Sequence, residues 1–273
     1  MAMNEISLDK PIARGRTADV YDWDDGHVLK LFHNWFESED IEYELKIARA
    51  VHASGVKAPA AGDRIQVQGR SGLIYERVAG ESMLTMFQRK PWMIFTYSRI
   101  LANLHAQMHE SVFEADIPAQ RMKLQHKINH ADVLPSPLKV ALLNTLDSMP
   151  IGDRVCHGDF HPANVLISGK DATVIDWIDA SRGNPLADVA RTSIIFLGAT
   201  ATKQIPNVFI KMFMNLFHAA YVREYFRLRP HGMDEYKRWL PIVAAARLAE
   251  GMPELEQWLM AKIEQGLRGD HAK

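Results

Sequence analysis

The sequence predicts an α+β chain in two lobes, a small N-terminal antiparallel-sheet lobe followed by a larger, mostly helical C-terminal lobe. Two hairpin signals and one change of pattern carry the prediction. Residues 11–32 read as strand, turn and strand about Asp24-Asp25-Gly26, and residues 64–78 do the same about Gly69-Arg70-Ser71-Gly72. Asp and Gly tolerate the positive φ that tight hairpin turns demand. Ala79-Gly80-Glu81-Ser82 then breaks the pattern, and the chain beyond it reads as almost wholly helical. The lobes are therefore expected to be 1–78 and 79–273.

A chain of 273 residues can bury a full-sized core, and 47% hydrophobic residues is ordinary for a globular protein. Its 32 basic and 33 acidic residues nearly cancel, so no bulk charge favours nucleic acid or an anionic membrane as partner. Cys156 is the only cysteine, which excludes an intramolecular disulfide framework. The opening Met-Ala-Met-Asn-Glu-Ile-Ser lacks the basic-then-apolar pattern of a signal peptide. The apolar helix from Val208 to Phe226 carries Lys211, Asn215, His218 and Arg223, which a membrane span would hardly tolerate. A cytoplasmic enzyme is the expectation.

In the first hairpin, Arg14-Gly15-Arg16-Thr17 forms a small-residue loop whose single glycine reads on its own more readily as an ordinary hairpin tip than as a phosphate loop. In the strand His27-Val28-Leu29-Lys30-Leu31-Phe32, alternation puts Lys30 on one face with Val28 and Phe32, so it either opens onto a cleft or is paired, or else it is an edge-strand lysine that deters aggregation. The next helix starts near Asn34 or Ser38, either of which can cap it, and Glu37, Glu39 and Asp40 suit the positive end of its dipole. Its buried stripe, Ile41, Leu45, Ala48 and Val51, also takes in Glu44, whereas Glu42 falls with Lys46 and Arg49 on the wet side. A carboxylate on a buried face needs a cation, and Lys30 is the nearest candidate. Gly55 ends this helix, and strands over 64–68 and 73–78 follow.

Pro91 opens a helix running through His109, with Met93, Tyr97, Ile100, Leu101, Leu104 and Met108 as its core stripe. His105 and His109 sit one turn apart but bring no third ligand, so a structural role is preferred over metal binding. Further helices are expected over 119–130 and 137–148.

The chemistry concentrates between Cys156 and Asp179. Cys-His-Gly-Asp-Phe-His-Pro-Ala-Asn-Val-Leu-Ile is followed, after a short polar gap, by Val-Ile-Asp-Trp-Ile-Asp. His157 and His161 have the spacing of a zinc helix, but Gly158 stands in the place of the glutamate and Pro162 forbids a regular helix. What is left is an oxygen-rich loop at strand ends: Asp159, Asn164 five residues on, and Asp176 after a hairpin of residues 165–168 and 173–175. Hard cations and phosphates want such groups.

This layout resembles the catalytic and metal-binding loops of the protein-kinase-like fold. More narrowly, His-Gly-Asp-Phe-His-Pro-Ala-Asn-Val-Leu and Val-Ile-Asp-Trp resemble the aminoglycoside phosphotransferase and choline kinase family. The resemblance extends to the 12–21 loop, Lys30, Glu44, residues 74–78, Leu101-Ala102-Asn103-Leu104-His105 and Gly183-Asn184-Pro185-Leu186-Ala187-Asp188, up to about residue 198. It implies a bilobal kinase-like fold whose 1–78 lobe binds ATP or another nucleoside triphosphate, with the catalytic loop and acceptor pocket in 79–273. It further implies Asp159 as the base that accepts the proton of a substrate hydroxyl, with Asn164 and Asp176 holding Mg2+. Lys30, paired with Glu44, would grip the α- and β-phosphates. Arg14, Gly15 and Thr17 would form the phosphate loop, and backbone groups of Glu76 and Val78 would meet the adenine. His157 and Asp188 would support the catalytic loop.

Two departures matter. The phosphate loop has one glycine between Arg14 and Arg16, and Asn184 stands where relatives often have Asp. No protein-kinase activation segment separates Asp176 from Asp188, which argues for a small-molecule acceptor such as an amino sugar, a choline-like amine or a sugar. A nucleotide-binding regulatory protein without turnover is the competing reading. From Asp179 onward ten acidic residues face thirteen basic ones, the wrong direction for grasping a polycation. Trp177, Tyr221, Tyr225, Phe226, Tyr236, Trp239 and Trp258 suit either a quaternary amine cage or core packing. Asp179 and Glu250 are the candidate substrate contacts.

Overall fold

A computed structural model of the chain describes residues 8, 10–113, 117–202 and 207–270. The amino-terminal stretch read above for a signal peptide, residues 1–7, lies outside the described residues, as do Lys203 and Lys273 of the charge count. The first part comprises β1 (Ala13–Arg14), β2 (Ala18–Asp24), β3 (His27–Phe32), α1 (Ser38–Ala53), β4 (Ala61–Val67) and β5 (Arg70–Glu76). Its strands form one antiparallel sheet in the order β1-β2-β3-β5-β4. The strand carrying Lys30 is thus central, with Lys30 between Val20 and Leu73. One face buries Ala18, Phe32 and Leu73 against Ile41 and Leu45 of α1, and the other gathers Leu29, Leu31 and Val67.

Two local expectations are corrected. The second hairpin turns at Gln68 and Gly69, with φ of 50 and 75, and not across residues 69–72. Two consecutive positive φ values make the two-residue turn whose twist matches the flanking strands. Gly72 is instead a packing residue inside β5, where a Cβ would come within 2.6 Å of a Leu29 methyl. The N-cap of α1 is Glu37, without a side-chain capping bond. Ser38 cannot serve, because it is already helical and its hydroxyl accepts from Arg64 at 2.9 Å. Glu39 and Asp40 do lie in the first turn, and Ile41, Glu44, Leu45, Ala48 and Val51 are buried as the phase requires.

The second part runs through β6 (Glu81–Ser82), α2 (Met83–Arg89), a 3-10 turn (Pro91–Met93), α3 (Ile94–Met108), α4 (Gln120–Asn129), α5 (Ser136–Ser148) and β7 (Arg154–Cys156). A second 3-10 turn (Pro162–Asn164) precedes β8 (Val165–Ser168), β9 (Asp171–Val174) and β10 (Ser181–Gly183), and then α6 (Pro185–Ala201), α7 (Val208–Leu228), α8 (Met233–Leu248) and α9 (Pro253–Asp270). Pro91 opens a 3-10 turn ahead of α3 because its ring fixes φ and removes a donor, and the α-helix proper starts at Ile94. The break at 79–82 contains β6, which pairs Glu81 with Ile167 and Ser82 with Leu166. Two residues carry no period, so sequence pattern misses such a strand.

One large core joins α3, α6, α7 and α8 through Leu101, Ile194, Tyr221, Tyr225 and Trp239. Beside it, the β8–β9 hairpin and the β7–β10 pair hold the loops between Cys156 and Ser181. Among the described residues no helix is long and apolar enough to cross a membrane.

Candidate active site

Lys30 reaches across the fold. Its Nζ donates to Glu44 Oε1 at 2.7 Å and to Asp176 Oδ1 at 3.2 Å, so the sheet, α1 and the loop after β9 meet at one ammonium. The Tyr75 hydroxyl donates to the same Glu44 oxygen at 2.9 Å. Burial pulls the Lys30 pKa down, but the carboxylates of Glu44 and Asp176 outweigh it and the net shift is upward. Burial, followed by the Glu44 charge, pushes the Tyr75 pKa well up, so its hydroxyl stays a neutral donor. The pairing of Lys30 with Glu44 expected from the phase of the helix is therefore observed.

The loop after β7 positions Asp159. Its carboxylate lies 3.3 Å from His161 Nε2 and 3.8 Å from an Arg191 nitrogen on α6. Burial raises its pKa, but His161, Arg191 and His157 overcome that and hold the carboxyl well below its usual range. Pro162 starts a 3-10 turn and not a helix, which swings Asn164 back so that Nδ2 donates to the Asp159 carbonyl at 3.0 Å. That bond commits the Asn164 amide nitrogen and leaves its oxygen as the atom it could offer to a cation. Asp176 sits at φ 63, a left-handed conformation Asp tolerates better than most residues, and its side chain is 45% exposed. An amide oxygen and an accessible carboxylate are the hard donors a magnesium ion prefers.

Beneath the loop lies a fully buried network. Asp188 accepts from the backbone N–H of His157 at 2.6 Å and of Gly158 at 2.9 Å. It also meets His105 Nε2 at 3.1 Å and His109 Nε2 at 3.4 Å, while the Nδ1 atoms of those rings meet the hydroxyls of Tyr221 and Tyr225. Each imidazole assigned as neutral, with Nε2–H donating to the carboxylate and Nδ1 accepting from tyrosine, satisfies every partner. Burial lowers the His105 pKa and takes that of His109 to about 3, whereas the two rings hold Asp188 well below the carboxylate range against burial. His105, His109 and Asp188 have the mutual spacing of a metal site, but all four ring nitrogens are already engaged. His157 Nε2 donates to the Ile175 carbonyl at 3.1 Å, tying the Asp159 loop to the Asp176 loop.

Gly158 is required here. Its φ is +80, and a Cβ would lie 2.6 Å from the Asp179 carbonyl. Gly158→Ala is expected to lower stability by about 1–3 kcal/mol, the usual cost of a side chain at a strained backbone position. Chemical denaturation checks this.

Other candidate residues fall differently. The Gly15 N–H donates to the Ala18 carbonyl at 2.8 Å, which closes the loop on itself at an exposed tip that includes Arg14, and the Thr17 carbonyl accepts from His33 N just beyond β3. The Glu76 N–H is committed to the Ala60 carbonyl at 2.9 Å, and Val78 follows the end of β5. Asn184 caps α6 through a 2.8 Å bond from Leu186 N and also donates to Glu235, which accounts for the amide locally. Of the aromatic candidates, Tyr221, Tyr225 and Trp239 are no more than 2% exposed and belong to the core, not to an amine cage. Asp179 and Glu250 do stand beside the loop, together with Lys123, Lys127, Arg191 and Arg247, cations that sequence reading did not single out.

An antiparallel sheet lobe followed by helices, with these loops between, is a protein-kinase-like fold. The chain belongs to the APH phosphotransferase enzyme family, whose model matches residues 9–249, and it is a small-molecule phosphotransferase. An aminoglycoside-3'-phosphotransferase of type VIII superposes with TM-score 0.62 at 18% identity, over 89% of this chain and 92% of that one. The amicoumacin kinase hAmiN, solved with AMP-PNP, Ca2+ and Ami, gives 0.63 at 15% identity, over 97% and 88% of the two chains. A choline/ethanolamine kinase family protein from Mesorhizobium loti gives 0.59 at 14% identity, over 96% and 88%. A search of curated proteins found no sequence match.

Proposed function

We propose that this chain transfers the γ-phosphate of ATP to a hydroxyl of a small molecule, with Asp159 as the base. The observation that carries the reading is the meeting of Lys30, Glu44 and Asp176 from three separate elements, beside a loop that presents Asp159 and Asn164. Residues 1–78 would form the nucleotide lobe, and 79–273 would hold the catalytic loop and acceptor pocket. Magnesium, held by Asn164 and Asp176, would supply charge neutralisation for the phosphates. Lys30 adds a fixed ammonium, kept charged and aimed by Glu44, for the α- and β-phosphates. Arg14, Gly15 and Thr17 would cover the phosphates, although the Gly15 N–H is spent inside the loop. The Glu76 carbonyl and the Val78 backbone are left to meet the adenine. Asp159 orients the attacking hydroxyl, and His157 and Asp188 keep its loop in place.

Lys30→Met is expected to raise the KM for ATP and lower kcat/KM by about two orders of magnitude, the usual effect of losing one preorganised charge donor. Glu44→Gln in the same background should add little, because the two residues act as one unit. Steady-state kinetics on the two single variants and the double variant decide this.

The reading itself is tested by magnesium-dependent ATP consumption across amino sugars, choline-like amines, sugars and their acidic derivatives, with nucleotide binding measured in parallel. Acceptor-dependent ADP formation supports the kinase. The self-closed Gly15 loop withholds its N–H from the phosphates, and nucleotide binding without turnover on any acceptor would decide for a regulator. A protein that binds no nucleotide refutes both.

A further inference from the structure

We infer that the acceptor carries an anionic group, a carboxylate or a phosphate monoester, held beside Asp159 by Lys123, Lys127, Arg191 and Arg247. The inference rests on the kinase reading and narrows it to a substrate class. The pocket next to the catalytic loop is lined by Lys123, Lys127, Gly158, Asp179, Ser181 and Arg191, among others. Lys123 and Lys127 lie one turn apart on α4, each with Nζ 3.7 Å from Asp179 Oδ1. Lys127 is also 3.5 Å from Glu250 Oε1. Arg191 reaches that same oxygen at 2.6 Å and stands 3.8 Å from Asp159 Oδ1. Arg247, near the end of α8, is 3.3 Å from Glu250 Oε2.

Lys123, Lys127, Arg191 and Arg247 thus share Asp179 and Glu250, and the cations stay in excess even when Asp159 is counted. Lys123 Nζ also donates to the Asp179 carbonyl at 2.9 Å and Arg191 Nε to the Gly158 carbonyl at 3.0 Å, but four of the six carboxylate separations are 3.5 Å or longer, so part of the group's donor capacity is unused. The side chains are sheltered, at 12% exposure for Arg191 and 11% for Arg247, which denies them full hydration. Arg247 Nε is buried with no hydrogen-bond partner. Burial, and after it the neighbouring Arg191, lower the Arg247 pKa to about 10 against the pull of Glu250 and Asp159, and burial lowers that of Lys123 against Asp179. An oxyanion supplies what this group lacks.

A cationic acceptor meets the opposite situation. Asp179 is already held by Lys123 and Lys127, and Glu250 by Lys127, Arg191 and Arg247. An ammonium group would have to displace those cations and then remain beside them, and like charges brought together in a sheltered site are strongly unfavourable. The candidate carboxylates Asp179 and Glu250 therefore act as holders of the cations and not as receivers of the substrate.

Calorimetric titration of the full chain without nucleotide tests this directly. The panel is glycerate, gluconate, glycerol 3-phosphate, glucose 6-phosphate and ribose 5-phosphate, each against its neutral parent, with choline and kanamycin as the cationic arm. At least one anion should bind about tenfold or more tightly than its neutral parent, because charge-assisted hydrogen bonds exceed neutral ones by that order. Its affinity should fall with added salt. The acid and phosphate arms tell the two anionic groups apart. Lys127→Met and Lys123→Met should each weaken the anion about tenfold. Equal or tighter binding of neutral or cationic compounds, no binding by any anion, or an anion insensitive to both variants would each overturn the inference. Phosphorylation of choline or kanamycin in preference to the anions would keep the kinase reading and refute this one. Anion binding by a protein that binds no ATP would refute the kinase reading and, with it, the assignment of the anion as phosphate acceptor.

Discussion

Asp159→Asn is expected to lower kcat by about two to four orders of magnitude, the range for loss of a positioned acid or base, while nucleotide affinity is retained. The substitution keeps shape and a hydrogen-bonding side chain, so what it removes is negative charge at the attacking hydroxyl. His161 and Arg191 hold the Asp159 carboxyl well below its usual range, so it is ionised throughout the neutral region. A carboxylate so stabilised is a weak proton acceptor. Its main contribution is orientation, which suits a loose phosphoryl-transfer transition state in which the hydroxyl proton is lost late. A consequence follows for pH: Asp159 itself should impose no acid limb on kcat/KM near neutrality. Kinetics over pH 5–9 on the wild type and equilibrium nucleotide binding by the variant check both statements. A variant within a few-fold of wild-type kcat would remove Asp159 from the reaction.

Legibility followed the range over which each signal acts. Glu44 was readable because helical phase is local: four residues on Ile41, Leu45, Ala48 and Val51 fix the face, and a carboxylate on that face demands a cation. Lys30 was readable because a lysine in an apolar strand violates the pattern. For Asp159, Asn164 and Asp176, Pro162 and Gly158 exclude the helix that a zinc site would need, but it was the resemblance to kinase-like loops that made the spacing readable. The hairpin at Gln68 and Gly69 was misplaced because two glycines, Gly69 and Gly72, look alike in sequence, and only the close approach of Leu29 shows which one packs. The cations Lys123, Lys127, Arg191 and Arg247 were missed for a different reason. Each is unremarkable on its own helix, and their meaning arises only where α4, α6 and α8 converge on Asp179 and Glu250.

Asp188→Ala is expected to cost about 3–5 kcal/mol of stability, the range for removing one partner of a buried charged network, and to abolish turnover with it. The carboxylate satisfies two backbone N–H groups and two imidazoles in a site with no exposure, and alanine leaves all four donors dry and unpaired. Those two N–H groups belong to His157 and Gly158, immediately before Asp159, so the base is misplaced as the fold loosens. The same network contributes to the acid sensitivity of the wild type, beside the buried His218, whose pKa burial lowers to about 4. The folded pKa of His109 is about 3, below its unfolded value of about 6.5, so the unfolded chain takes up a proton that the native chain refuses. Its contribution is fully present above about pH 6.5 and is lost progressively as pH falls toward 3. Asp188, depressed below an unfolded value of about 3.9, contributes above that value and is lost only as pH falls through its still lower folded pKa. Denaturation midpoints should therefore decline from pH 7 to pH 4, and His109→Gln, which cannot titrate, should flatten the decline even if it lowers the midpoint at pH 7. A wild-type slope in that variant would show that acid sensitivity lies elsewhere and that the carboxylate holds the loop without depending on neutral imidazoles.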